Sequence, residues 1–305
     1  MVACHILVII LTTGDTMTEQ KSPFKIKIIK DGPYRVVGDV PFVKKSQHCS
    51  SYGEPLDWVD GGELEHKAGS YLLCRCGKSK NMPYCDNIHI DSGWVGDEIA
   101  ITDGPFGRDL NYYGPTGLTV TKHVRLCMNS GFCVLKDTDF TELTEKSGDP
   151  VKKARAIKMV EDCPSGSLTY KLERSGPDVE PDLPMEIADT YECTQYGEIR
   201  GPLWVMGYIP IERADGEEFI PRNRVTLCSC GHSRIKPLCD GTHRPLQENA
   251  LRRKQREERG SQRLQQAQDP GSDSEQGEAK RLSDRVSSAL KRLRDSFNKD
   301  QDQQS

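Results

Sequence analysis

Apolar and polar residues alternate through Lys25-Ile-Lys-Ile-Ile-Lys, break at Asp31-Gly-Pro, and alternate again from Tyr34 to Val40, which predicts two strands joined by a turn. The pattern returns far down the chain. Gly32-Pro33-Tyr34-Arg35-Val36-Val37-Gly38-Asp39-Val40-Pro41 aligns with Gly201-Pro202-Leu203-Trp204-Val205-Met206-Gly207-Tyr208-Ile209-Pro210, so a whole β unit is repeated. In each copy a short apolar run, Tyr71-Leu-Leu or Arg224-Val-Thr-Leu, leads into a cysteine and reads as a further strand. The first copy has the longer connection, containing Cys49 and Asp57-Trp58. Helical spacing follows Asp149-Pro150, where Val151, Ala154, Ile157, Met159 and Val160 form an apolar face. A second stripe, Leu282, Val286, Ala289, Leu290, Leu293 and Phe297, ends the chain after a polar stretch at 247–278 that reads as a solvated, fraying helix.

Each ligand-rich segment sits at the end of one β unit. Cys228, Cys230, Cys239 and His243 are spaced by two, nine and four, and Cys74, Cys76, Cys85 and His89 repeat those offsets. Residues two apart on an extended segment share a face, and residues four apart meet across one helical turn. A helix opening at Asp240 would therefore bring Cys239 and His243 together, which gives a two-plus-two clamp suited to a binuclear iron–sulfur cluster. A structural zinc site is the simpler alternative for a Cys3His set, although zinc knuckles usually separate their paired cysteines by more than one residue.

Between the copies lies Cys127-Met-Asn-Ser130-Gly-Phe-Cys133, with Cys163-Pro164 thirty residues beyond. Ferredoxins hold cubane clusters with closely spaced cysteines and a distant Cys-Pro. Cys127, Cys133 and Cys163 are the candidate ligands here, with Ser130, His123, Cys193 or an external group open as a fourth. The alternative is that Cys127 and Cys133 are buried core thiols.

Residues 228–243 resemble the CDGSH, or NEET, iron–sulfur family at every position of C-x-C-x2-S-x3-P-x-C-D-G-[ST]-H. The earlier copy departs from it at Asn87 and Ile88, which removes a hydroxyl beside the cluster but leaves a residue tolerant of left-handed backbone. The resemblance implies two [2Fe-2S] clusters, with Cys228 and Cys230 on an inner iron and Cys239 and His243 on an outer, solvent-facing one. It also implies supporting roles for Ser79, Asp86, Ser233, Asp240 and Thr242. The middle motif resembles single-cluster ferredoxins of the [3Fe-4S] and divergent [4Fe-4S] kinds. Because many NEET proteins are strand-exchanging homodimers and each unit here is small, the two copies are expected to pack on each other as an intramolecular pseudo-dimer.

The expected class is therefore α+β: a leader or upstream start at 1–19, a first CDGSH-type unit at 20–100 and a ferredoxin-like single-cluster domain at 105–175. A linker at 176–190, a second unit at 191–246 and a helical or disordered tail at 247–305 complete it. Net charge is -4 and the isoelectric point is near 6.0, so neither nucleic acid nor an anionic membrane is an expected partner. The apolar run Ile6 to Leu11 is too short to span a bilayer and lacks the basic flank of a signal peptide. Twelve cysteines, nine of them in the motifs, fit metal chemistry in a reducing compartment such as the cytoplasm.

No phosphate loop, nucleophile motif or nicotinamide fingerprint is present, so the sequence points to an electron carrier rather than an enzyme. A donor of clusters to an apo-acceptor, or a redox and iron sensor, is the second expectation. A zinc-based interaction scaffold is the third. A redox partner protein is implied by the first, and the C-terminal stripe is a candidate partner-docking helix.

Overall fold

The computed structural model describes residues 22–102, 108–268, 283–284 and 286–288. The leader at 1–19, together with Leu282, Ala289, Leu290, Leu293 and Phe297 of the C-terminal stripe, lies outside the described residues. The class is α+β, built of small sheets and few helices.

The first copy supplies β1 (Lys25–Ile28), β2 (Tyr34–Val37), β3 (Phe42–Cys49), β4 (Pro55–Glu63), β5 (Ser70–Leu73) and the short helix α1 (Ile88–Asp91). The middle segment supplies β6 (Asp109–Tyr113), β7 (Thr119–His123), α2 (Phe140–Glu145), α3 (Pro150–Glu161) and β8 (Leu168–Lys171). The second copy supplies β9 (Ile187–Thr194), β10 (Gly197–Met206), β11 (Ile211–Glu212), β12 (Arg224–Leu227) and α4 (His243–Gln268).

The two copies trade strands. One sheet runs β11-β1-β2-β5 and the other β12-β10-β9-β3-β4, so the strand after the aligned proline of each copy joins the sheet of the other. Both joints are parallel: Ile26 lies opposite Ile211, and Phe42 opposite Ile187. Strands of four residues cannot close a core alone, and the apolar interior is accordingly shared, with Ile26, Tyr34, Val36, Phe42 and Leu73 packed among Ile187, Leu203, Val205 and Leu227.

The middle segment keeps its own core of Leu118, Val120, Phe140, Leu143, Ala156, Met159, Val160, Leu168 and Tyr170. Asp149 caps α3 by accepting from the amides of Val151 and Lys152, and Pro150 occupies the first turn. The buried face of α3 is Ala156, Met159 and Val160, whereas Val151 and Ala154 are exposed. Spacing of three and four from Ala156 turns Ala154 to the far side.

The span expected to be a linker ends early, because Ile187, Ala188, Asp189 and Thr190 are buried in β9 between β10 and β3. Asp189 tolerates this burial because Arg200 donates to it through Nε at 2.9 Å and through Nη2. Of the described residues, those up to Glu248 form one compact unit, and those from Asn249, helical to Gln268, belong to a second. Among the described residues no helix is long and apolar enough to cross a membrane.

Candidate metal centres

Each repeated loop is held by the same hydrogen bonds. The amide of Cys74 donates to the Pro83 carbonyl at 2.7 Å, and that of Cys228 to Pro237 at 2.7 Å. Ser79 and Ser233 hydroxyls donate to the carbonyls of Tyr84 at 2.6 Å and Leu238 at 2.7 Å. Asp86 accepts from the amides of Lys80 and Ile88, and Asp240 from those of Arg234 and Thr242. The two serines and two aspartates thus fix the loop backbone. Asp240 is desolvated, yet its hydrogen bonds from Thr242 and Arg234 hold its carboxyl down at about 2.

The expected helix does not open at Asp240. Helix α4 begins at His243, and Cys239 and His243 meet through a tight loop in which the Gly241 amide points at the Cys239 sulfur at 3.4 Å. Asn87 adopts the left-handed conformation at φ 66°, where Gly241 has φ +82°. Asparagine there satisfies the turn because its short side chain tolerates that region.

Donor spacing tests the fit to a metal. The Sγ atoms of Cys74 and Cys76 are 3.7 Å apart, as are those of Cys228 and Cys230. Cys85 Sγ lies 3.5 Å from His89 Nδ1, and Cys239 Sγ 3.4 Å from His243 Nδ1. Tetrahedral bonds of about 2.3 Å to sulfur and about 2.0 Å to nitrogen require separations of about 3.7 Å and about 3.5 Å. Each pair therefore matches two corners of one tetrahedral ion. Among the described residues no three His, Cys, Asp or Glu side chains close on one ion, so the donors come as pairs.

The middle thiols also converge. Cys127, Cys133 and Cys163 line one cavity of about 220 Å³ together with Ser130, Phe132 and Lys122. Of the proposed fourth ligands, only Ser130 lines it. His123 is turned to other partners, with Nδ1 2.8 Å from Asp109 and Nε2 3.4 Å from Thr169 Oγ1. Cys193 is bonded to Cys49 in a disulfide between β3 and β9 and has no free thiol to offer. That bridge takes two of the three cysteines outside the motifs and is an exception to the reducing compartment expected from the other nine.

The model of the family described as iron-binding zinc finger CDGSH type matches residues 31–90 and 200–244, and that of the divergent 4Fe-4S mono-cluster matches 113–173. Two CDGSH segments flank a divergent 4Fe-4S segment. No curated protein and no solved structure matches the chain.

The CDGSH segments touch at their ligand loops. A methyl built on Gly77 would lie 2.4 Å from the Cys230 carbonyl oxygen, and one on Gly231 2.4 Å from that of Cys76. The contact is reciprocal. The second CDGSH loop also abuts the 4Fe-4S segment, where a methyl on Gly241 would lie 2.6 Å from the Met128 carbonyl oxygen. Buried Gln47 spans the same region, donating to the Ser130 carbonyl at 2.8 Å and accepting from the Cys193 amide at 3.0 Å.

Burial pushes the thiols of Cys76 and Cys133 up to about 11 and those of Cys85 and Cys239 upward as well. Cys228 is drawn down to about 6 by the hydrogen bond from Cys230, whose own thiol is held protonated by that bond and by burial. A metal must displace these protons. Uptake of ferrous ion by the apo-protein should therefore tighten and release protons as pH rises from about 6.5 to about 8.5. Affinity independent of pH over that range, read by competition with a chelator, would contradict thiolate ligation.

The CDGSH segments differ at histidine. His243 is 2% exposed and its Nε2 lies 3.0 Å from Oε1 of Glu192, which is fully buried. The outer, solvent-facing position expected for His243 is thus not found. His89 is half-buried and borders an open cavity of about 1080 Å³ lined also by Arg35, Lys67, Tyr71 and Cys85. Sequence reasoning missed Glu192: residues 190–202 stand where Ile29–Pro33 stands in the first copy, a difference in hairpin length that the strand pairing reveals.

Proposed function

We propose that the protein is a one-electron relay carrying two [2Fe-2S] clusters and one ferredoxin-type cluster. Cys74, Cys76, Cys85 and His89 hold the first, and Cys228, Cys230, Cys239 and His243 the second. Cys127, Cys133 and Cys163 hold a [3Fe-4S] or [4Fe-4S] cluster in a ferredoxin-like domain, and of Ser130, His123 and Cys193 it is Ser130 that lines their cavity as a fourth-ligand candidate. The CDGSH segments form an intramolecular pseudo-dimer, supported by the traded strands and the reciprocal Gly77 and Gly231 contacts.

One observation carries the relay reading: the three ligand loops touch in series. Cys76 and Gly77 meet Cys230 and Gly231, and Gly241 meets Met128 beside the 4Fe-4S cavity. A bound cluster supplies the capacity to take and give one electron. The chain's residues hold the centres close, exclude water and set charge: three thiolates and a neutral imidazole on a [2Fe-2S] core leave about one negative charge, against about two with four thiolates. Replacing the second histidine, His243→Cys, should accordingly lower that centre's potential.

The use of nine of twelve cysteines in these sites fits a reducing compartment such as the cytoplasm, with the Cys49–Cys193 pair the exception. Redox partner proteins complete the relay. A second reading, donation of a cluster to an apo-acceptor, is favoured by the half-buried His89 on its open cavity.

The test is paramagnetic resonance with iron and sulfide counts on anaerobically purified protein, oxidised and reduced. Three sets of signals are expected, and Cys133→Ser should remove only the middle one. Reversible reduction with retained iron supports relay, and transfer on mixing with an apo-ferredoxin supports donation. A colourless, zinc-containing protein would reject both.

A further inference from the structure

Resting on the reading of 228–243 as a cluster site, we propose that Glu192 is a positioning residue that fixes His243 on its iron and makes the second CDGSH centre the slower of the two to release iron. The first centre is then the exchangeable one.

Glu192 reaches His243 because the β9–β10 hairpin is long. In the first copy β1 ends at Ile28 and β2 begins at Tyr34, whereas β9 continues to Thr194 and β10 starts at Gly197. The added rungs, Arg200 opposite Tyr191 and Ile199 opposite Glu192, carry the carboxylate over the second ligand loop. Gly201 leaves the room: a methyl there would lie 2.4 Å from Thr190 Oγ1 and 3.0 Å from Glu192 Oε1.

The chemistry of the pair assigns its protons. An ionised carboxylate only accepts, so the hydrogen between Glu192 Oε1 and His243 Nε2 belongs to the imidazole. In the neutral imidazole that a metal requires, Nδ1 then carries the lone pair, 3.4 Å from Cys239 Sγ, at the corner where iron is expected. A carboxylate behind a metal-bound imidazole orients the ring and strengthens its donation.

Glu192 is itself held. Arg244 Nη2 lies 3.4 Å from Oε2, and both Arg244 Nη atoms donate to the Cys193 carbonyl at 3.2 and 3.3 Å. Oε2 is buried with no hydrogen bond of its own. A carboxylate in that state is costly without positive charge nearby, and the Arg244 guanidinium supplies it. Among the described residues nothing bonds His89 Nε2, and His89 borders the open cavity.

The experiment uses the full-length, cluster-loaded protein at one fixed pH, mixed with excess ferrous chelator. Iron release is followed with the visible spectrum, and His89→Cys marks the first centre by its altered absorption. Two CDGSH phases are expected, the faster one belonging to His89. Glu192→Gln should speed the slower phase about 10–100-fold, in line with the loss of a carboxylate behind a ligating histidine. The same change should raise the second centre's potential and alter the histidine nitrogen coupling in pulsed paramagnetic resonance, and Glu192→Asp should restore part of each. If the slow phase keeps its rate and coupling in Glu192→Gln, or belongs to His89, the role of Glu192 is overturned while the cluster reading stands. A protein without clusters overturns both.

Discussion

Arg224→Met is expected to lower the free energy of unfolding by about 3–5 kcal/mol and to empty the middle site, because it strips a fully buried charge from its partners. The Arg224 side chain is 0% exposed, and its Nη2 lies 2.7 Å from Glu180 Oε2. Nη1 donates to the carbonyls of Val160 at 2.6 Å, Cys163 at 3.0 Å and Glu161 at 3.2 Å, and Nη2 to Leu168 at 3.1 Å. Arginine at the head of β12 thus ties down the backbone on both sides of Cys163. Methionine fills much of the volume but leaves those carbonyls without donors. Urea unfolding and iron per chain decide the matter. A variant within about 1 kcal/mol of the parent, with full iron, would show that the 4Fe-4S segment positions Cys163 unaided.

Gly231→Ala is expected to disturb both CDGSH centres at once. The residue sits at φ +77°, and its new methyl would meet the Cys76 carbonyl oxygen at 2.4 Å and Trp94 Nε1 at 3.0 Å. Left-handed backbone and overpacking together cost roughly 2–5 kcal/mol. The strain falls on the first copy's loop as much as on its own, so the signals of both centres should change in the reduced protein. A change confined to the second centre would mean that the loops do not brace each other. Gly77→Ala is the mirror experiment, since its methyl would meet the Cys230 carbonyl oxygen.

The ligand pairs and the repeat were readable because two-residue and four-residue offsets have direct geometric meaning. The trading of β3 and β11 was expected only from the family resemblance. Alternation at Lys25–Ile28 or Tyr34–Val37 says which face is buried, not which strand lies alongside. Arg224, four residues before Cys228, looks like an ordinary polar strand residue until tertiary packing encloses it. Glu192 was hidden for a related reason: its meaning lies in the length of a hairpin, and the aligned Gly-Pro turns masked the difference. Cys193 shows the limit of elimination, because a leftover cysteine is equally a ligand or half of a bridge until its neighbour across the sheet is known.

Symmetric dimers write every mutation twice. Because β3 and β11 cross between halves of a single polypeptide, each half can accept a substitution that the other never receives. On one polypeptide the two lobes can therefore carry different side chains around equivalent loops, as His89 on its open cavity and His243 against Glu192 already do.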